Sequence, residues 1–285
     1  MPIQLVLEPH LKDLGGGFMV RRLLPSAQRQ AVGPFAFFDH FGPVTNQPGD
    51  NHDVRPHPHI GLSTVTYLFE GAMMHRDSLG SEQRIEPGAI NWMTAGKGIV
   101  HSERAPEDLR GTRYVSHGLQ LWCALPAALE DCEPSFVHTP VAAIPEVAGA
   151  GFTARVMVGA MFGVTSPVQP LSPTLYVEVT AEAGHVLTLE ASGFERAIYV
   201  LGDAIAVDGV VVAPFTLGVM AEGAATITAP QGSHYVIIGG APLGHRHMVW
   251  NFVSTSKDKI EAAKAAWRAQ EMGQVPGETE FIPLP

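Results

Sequence analysis

The feature that most narrows the fold is a rhythm of short apolar-alternating runs, each closed by a glycine turn. The pattern predicts strands over 18–23, 64–70, 72–78, 83–85, 89–93, 98–103 and 114–124, punctuated by Glu-Gly at 70–71, Leu-Gly at 79–80, Pro-Gly at 87–88 and Ala-Gly at 95–96. Side chains on a strand alternate between faces, and strands spaced by about 8–12 residues with turn signals between them argue for a sandwich or barrel. The rhythm resumes over 174–180, 186–190, 196–201, 204–207, 210–212, 218–220, 225–228 and 234–239. The 30 Gly and 23 Pro among 285 residues supply the turns that such an all-β chain needs.

The two stretches also resemble each other. TYLFEGAMMHRDSLGSEQRIEPGAINWMTAG can be laid over IYVLGDAIAVDGVVVAPFTLGVMAEG as strand, glycine turn, strand, second turn and strand. A repeat this long implies duplicated domains and not a solenoid of short units. Between the copies, Pro126, Ala127, Ala128, Pro134, Pro140 and Pro145 read as a connection, giving expected domains 1–135 and 136–285. Near the end the period changes. STSKDKIEAAKAAWRAQEM opens on candidate N-caps and repeats Ile260, Ala263, Lys264 and Trp267 at helical spacing, so a helix over about 256–271 is expected to dock Ile260 and Trp267 on a barrel, with an irregular tail beyond.

Charge excludes one class of function. A formal net charge of −10 is the opposite of the basic footprint that direct nucleic-acid binders carry, so a role in gene control would run through a protein partner. The N-terminal MPIQLVLEPHLKDLGGG has no basic stretch followed by a long apolar core, and no apolar run reaches the roughly 20 residues of a membrane helix. A soluble, cytoplasmic, monomeric protein is the expectation. Cys123 and Cys132 match no redox or zinc spacing and are expected to be reduced thiols.

Chemistry concentrates in two short polar pairs. In RPHPHIGLSTV, His57 and His59 are one residue apart and share a face of any strand they lie on; in GKGIVHSERAP, His101 and Glu103 do the same about 42 residues on. One such pair is met equally on a polar surface edge. Two on different strands can converge inside a barrel, where three imidazoles and a carboxylate suit a divalent Fe, Mn, Co, Ni, Cu or Zn ion with positions left for water, dioxygen or substrate. Gly61 and Gly98 would permit close strand approach or a bulge beside the pairs.

The run HPHIGLSTVTYLFEGAMMHRDSLGSEQRIEPGAINWMTAGKGIVHSE, with HGLQLW at 117–122, resembles the pirin family of the cupin superfamily, and FAFFDHFGP at 35–43 and WNFVSTSKDKIEAAKAAW at 250–267 resemble its flanking segments. The resemblance implies a bicupin, two jelly-roll barrels tied together by the C-terminal helix, with metal in the N-terminal barrel only and a structural C-terminal one. It implies one divalent metal, Fe(II) first, on His57, His59, His101 and Glu103. The Glu that cupins generally carry a few residues after HxH is absent, since Leu62, Ser63 and Thr64 stand there. It further implies a quercetin 2,4-dioxygenase activity, opening the flavonol central ring with O2 and releasing CO, with Glu103 as a candidate base. The alternatives are a non-catalytic metal-binding regulator that acts through a protein partner, and another cupin chemistry such as isomerisation or lysis.

Other residues have plainer readings. HRH at 245–247 reads as a surface turn, and Phe35, Phe37, Phe38 and Phe41 as barrel core. Trp92 and Met93 are adjacent on one strand, so one is expected inward and the other outward. His117 is a candidate for the pocket region, His75 lies in the same barrel, and Asp39 and His40 can either reach the pocket or cap a turn.

Overall fold

A computed structural model describes residues 3–15 and 17–285. The chain is all-β with one α-helix, Lys257–Arg268. Its residues group into two compact units that are not contiguous halves. One comprises 1–10, 21–38 and 142–243, and the other 11–20, 39–141 and 244–285. The N-terminal strand thus belongs with the second repeat, because Ile3–Leu7 pairs antiparallel with Leu217–Met220. The C-terminal helix belongs with the first repeat.

Each repeat is built on one plan, a seven-stranded and a four-stranded antiparallel sheet. In the first repeat Leu62–Glu70 pairs with Ile90–Thr94 and Tyr114–Ala124, while the smaller sheet runs Val54–His59, Ile99–Arg104, Met73–Asp77, Glu82–Ile85. In the second, Glu195–Val200 pairs with Leu217–Met220 and Ser233–Gly240, and the smaller sheet runs His185–Leu189, Ala225–Ala229, Ile205–Val207, Val210–Val212. This is the bicupin expected from the sequence.

Two of three local readings change. The Pro- and Ala-rich connection is not a bare linker: Ser135–Thr139 pairs with Ile90–Thr94 and extends the first repeat's larger sheet. Phe35–Asn46 is a strand of 12 residues, and Phe35, Phe37, Phe38 and Phe41 on it are all buried, as expected. Trp92 and Met93 are both buried, because Ile90–Thr94 is covered on both faces and each of its residues is buried.

The helix starts at Ser256, whose side chain accepts from the Lys259 backbone N–H, which satisfies one of the donors that a helix start leaves unpaired. Its apolar stripe of Ile260, Ala263 and Trp267 packs on Ile60, Val100, Phe252 and Val275. Trp267 is 2% exposed, and its indole N–H donates to the Ile282 carbonyl at 3.0 Å. The helix therefore covers strands of the first repeat. Trp267→Ala empties the centre of this cluster and should cost about 3–5 kcal/mol, read as a lower denaturant midpoint; a loss under about 1 kcal/mol would mean that the helix contributes little to this unit.

Candidate metal centre

Two strands of the smaller sheet position the site. Ile99–Arg104 pairs antiparallel with Val54–His59, so that His101 faces His57 across the ladder and Ile99 faces His59. Period two then turns His57, His59 and His101 to one face. Their ring centroids lie 4.3 Å (His57–His101), 5.0 Å (His57–His59) and 5.0 Å (His59–His101) apart. One nitrogen from each comes within 4.8 Å of the others, and all three residues are buried.

Gly61, two residues beyond His59, sits at φ 68°, and a Cβ there would stand 1.9 Å from the Val253 carbonyl oxygen. That is the close approach anticipated for this glycine, and only a residue without a side chain permits it. Among the described residues, no ring nitrogen of His59 or His101 meets a hydrogen-bond partner of ordinary geometry. A buried polar atom without a partner costs free energy, and one nitrogen from each of the three rings converging within 4.8 Å is a donor set that fits a divalent cation. The Nδ1–H of His57 donates to the Arg55 carbonyl at 2.9 Å, which leaves Nε2 as the free lone pair. Burial holds His57 down at about 4 and keeps His59 and His101 well below the ordinary imidazole value, so all three are neutral donors at neutral pH.

Glu103 is not drawn into the same cluster. The strand register slips between His101 and Glu103, so Glu103 pairs with Val54 on one side and with His75 on the other. Its carboxylate lies outside the spread of the three imidazoles, partly buried, and burial pushes it up to about 7. His75, given no definite role from the sequence, stands next to the site. Its Nε2 is 2.9 Å from the fully buried Asp77 carboxylate, its ring stacks on Phe136 at 4.1 Å, and its centroid is 5.3 Å from His101. The HRD spelling at 75–77 carried that pairing, because positions two apart on one strand share a face. Trp122 closes another side, edge-on to His59 at 5.1 Å.

The remaining histidines lie elsewhere. His40 and His117 share a hydrogen bond at 2.8 Å, and Asp39 is buried beside His40 in sequence. His245 and His247 have rings 5.1 Å apart outside the cluster, and Arg246 between them is buried and donates to the Leu125 carbonyl. Both cysteines are free thiols, with burial raising the Cys123 pKa well above the ordinary value. A cavity of about 420 Å³ beside the helix is lined by residues such as Ile60, Lys97, Lys259 and Met272, and by none of the three histidines.

In the second repeat the ladder pairs Leu187 with Ile227 where the first pairs His57 with His101, and Ile227 faces Val207 where His101 faces Asp77. Leu189 takes the place of His59. All are packed in one aliphatic core, with no metal-ligating cluster among the described residues. The strand equivalent to the histidine strand is thus HVLTL at His185–Leu189.

Comparisons with known proteins agree with this architecture. The Pirin family model matches residues 17–123, and that of the Pirin C-terminal cupin domain matches 176–273. A pirin-like protein of Caulobacter vibrioides is 46% identical over 99% of both chains. The chain belongs to the pirin family. Human pirin is 34% identical over 91% of this chain and 89% of its own. Among solved structures, a quercetin 2,3-dioxygenase from Acinetobacter baumannii superposes with a TM-score of 0.92 at 35% identity, covering all of this chain and 95% of that one. Among the described residues no helix is long and apolar enough to cross a membrane.

The raised Glu103 pKa has a defined sign. In metal-free protein the protonated carboxyl favours the folded state, so this contribution is fully present below about pH 4.5 and is lost as pH rises through about 7. Between pH 5 and 8 the melting temperature of metal-free wild type should fall relative to Glu103→Gln; a gap that stays constant across that range would remove the basis for a buried, titrating carboxyl.

Proposed function

We propose that this pirin is a metal-dependent dioxygenase that opens flavonols or related enolic aromatics with O2. The observation that carries it is the trio of buried, neutral imidazoles with unpartnered nitrogens, in a chain similar at 35% identity to a protein called quercetin 2,3-dioxygenase. His57, His59 and His101 would hold the metal, with Glu103 as fourth ligand after rotation of its side chain. Bound there, a divalent metal, Fe(II) first among Fe, Mn, Co, Ni, Cu and Zn, would acidify the substrate's 3-hydroxyl and open an electron path to O2.

The chain's own residues supply the rest. Glu103, at about 7, is poised to take the hydroxyl proton near neutral pH. Binding the metal and taking the proton are alternative uses of one carboxylate, so it exchanges between them. Trp122, edge-on to His59, and Phe136, stacked on His75 next to His101, are aromatic walls that help keep water from the reacting atoms. The net charge of −10 argues against nucleic acid as the ligand.

The test is oxygen uptake and CO release on adding quercetin to metal-loaded protein, beside His101→Ala. Uptake that needs metal and falls by more than about 100-fold in the variant supports the reading, since loss of a ligand should exceed the 10–100-fold typical of a ligand's supporting partner. Metal bound without uptake, under each of Fe, Mn, Co, Ni and Cu, would overturn catalysis and favour a metal-binding regulator.

A further inference from the structure

The two histidine strands have outward faces as well as inward ones, and one short segment near the C-terminus holds both. On Ile99–Arg104, His101 and Glu103 alternate with Ser102 and Arg104. Those two outward residues converge on a single carboxylate. Ser102 donates to Glu278 at 2.7 Å, and the Arg104 guanidinium donates to both of its oxygens. Ser102 is fully buried, and the Glu278 side chain is 10% exposed. On the facing strand, the Ile282 N–H donates to the Pro56 carbonyl at 2.8 Å. Ile282 is itself pinned by the Trp267 indole on its own carbonyl, and Phe281 meets Trp267 edge-on at 5.8 Å.

The place of these contacts is informative. From His101 to Glu103 is two residues, yet the partners His57 and Val54 are three apart, so the histidine strand carries one extra residue there. Such a bulge leaves backbone groups outside the ladder. The Arg55 carbonyl accepts the His57 Nδ1–H, and the Pro56 carbonyl accepts from Ile282. Pro56 has no N–H of its own to give the ladder. The bulge that fixes the His57 tautomer is thus closed from outside by the same segment that grips the strand of His101.

We propose that residues 278–282 are a positioning strap, in which Glu278 and Ile282 hold the bulge and the two strands so that the three imidazoles keep their metal-ready spacing. This rests on the three histidines being a metal site. Neither residue touches the metal position; both act through the backbone that carries the ligands.

The test uses full-length metal-free protein titrated with Co(II), read by calorimetry and by the visible spectrum, with circular dichroism melting in parallel. Ile282→Pro removes the N–H, and Pro283 already biases Ile282 to the extended and polyproline region that a proline can adopt. Glu278→Ala releases Ser102 while Arg104 keeps Asp53 and Glu280. Each is expected to raise the Co(II) dissociation constant by about 10-fold or more and to alter the visible bands, with the metal-free protein still folded at the titration temperature. Glu261→Gln, on an exposed ion pair with Lys264, serves as the control. Wild-type affinity and spectrum in both variants, or weakening that only tracks the unfolded fraction, would overturn the strap. If His57→Ala also binds Co(II) as wild type does, the metal-site reading itself fails; if His57→Ala loses Co(II) while the two strap variants do not, only the strap fails.

Discussion

The cross-strand pairing of His101 with His57 is the contact on which the rest depends. Two imidazoles face each other because two short strands run antiparallel in one register, and His59 joins them because side chains repeat every second residue. A slip of one residue in the strand of His57 and His59 would turn both away from His101 and leave proline or isoleucine side chains in their place. Much of the surrounding structure guards that register. Ile60 and Val100, each adjacent to a histidine, are clamped under the helix, and Gly61 lets the Val253 backbone approach as no other residue would.

The site combines opposing physical demands. Neutral imidazoles with free lone pairs are useful to a cation, and burial keeps them neutral. Those unpartnered nitrogens are costly in a closed barrel. The aromatic and aliphatic walls around them lower the local dielectric, which sharpens the interaction with any ion that enters. Glu103 stands at the rim of this environment, near the point where its two protonation states are balanced, while the Asp77 carboxylate is committed to His75 and to the backbone N–H groups of Leu79 and Ser81.

Much of this was legible in the chain itself. Alternation and glycine turns carried the strands, and the HxH and HxE spellings carried the three histidines, because period two is a local rule. What was not legible was non-local. Nothing in MPIQLVLEP says that Ile3–Leu7 completes the sheet of the other repeat, and nothing in an Ala-rich helix says which strands lie under it. The register shift beside Pro56, which sets where Glu103 stands relative to the three histidines, was not legible either, because a bulge is a property of two strands together. Ser135–Thr139 was hidden by flanking prolines, which mark its ends and do not interrupt it.

Leu187, Leu189 and Ile227, standing where the other repeat has its histidines, separate two kinds of cohesion. One interior is closed by hydrocarbon contact and needs nothing from solution. The other is left with lone pairs that only a solute can satisfy. An ion held there would enter the folding free energy of that unit directly and would leave its duplicate untouched. Metal supply would then set how firmly one half of the molecule is built, in addition to what that half can do.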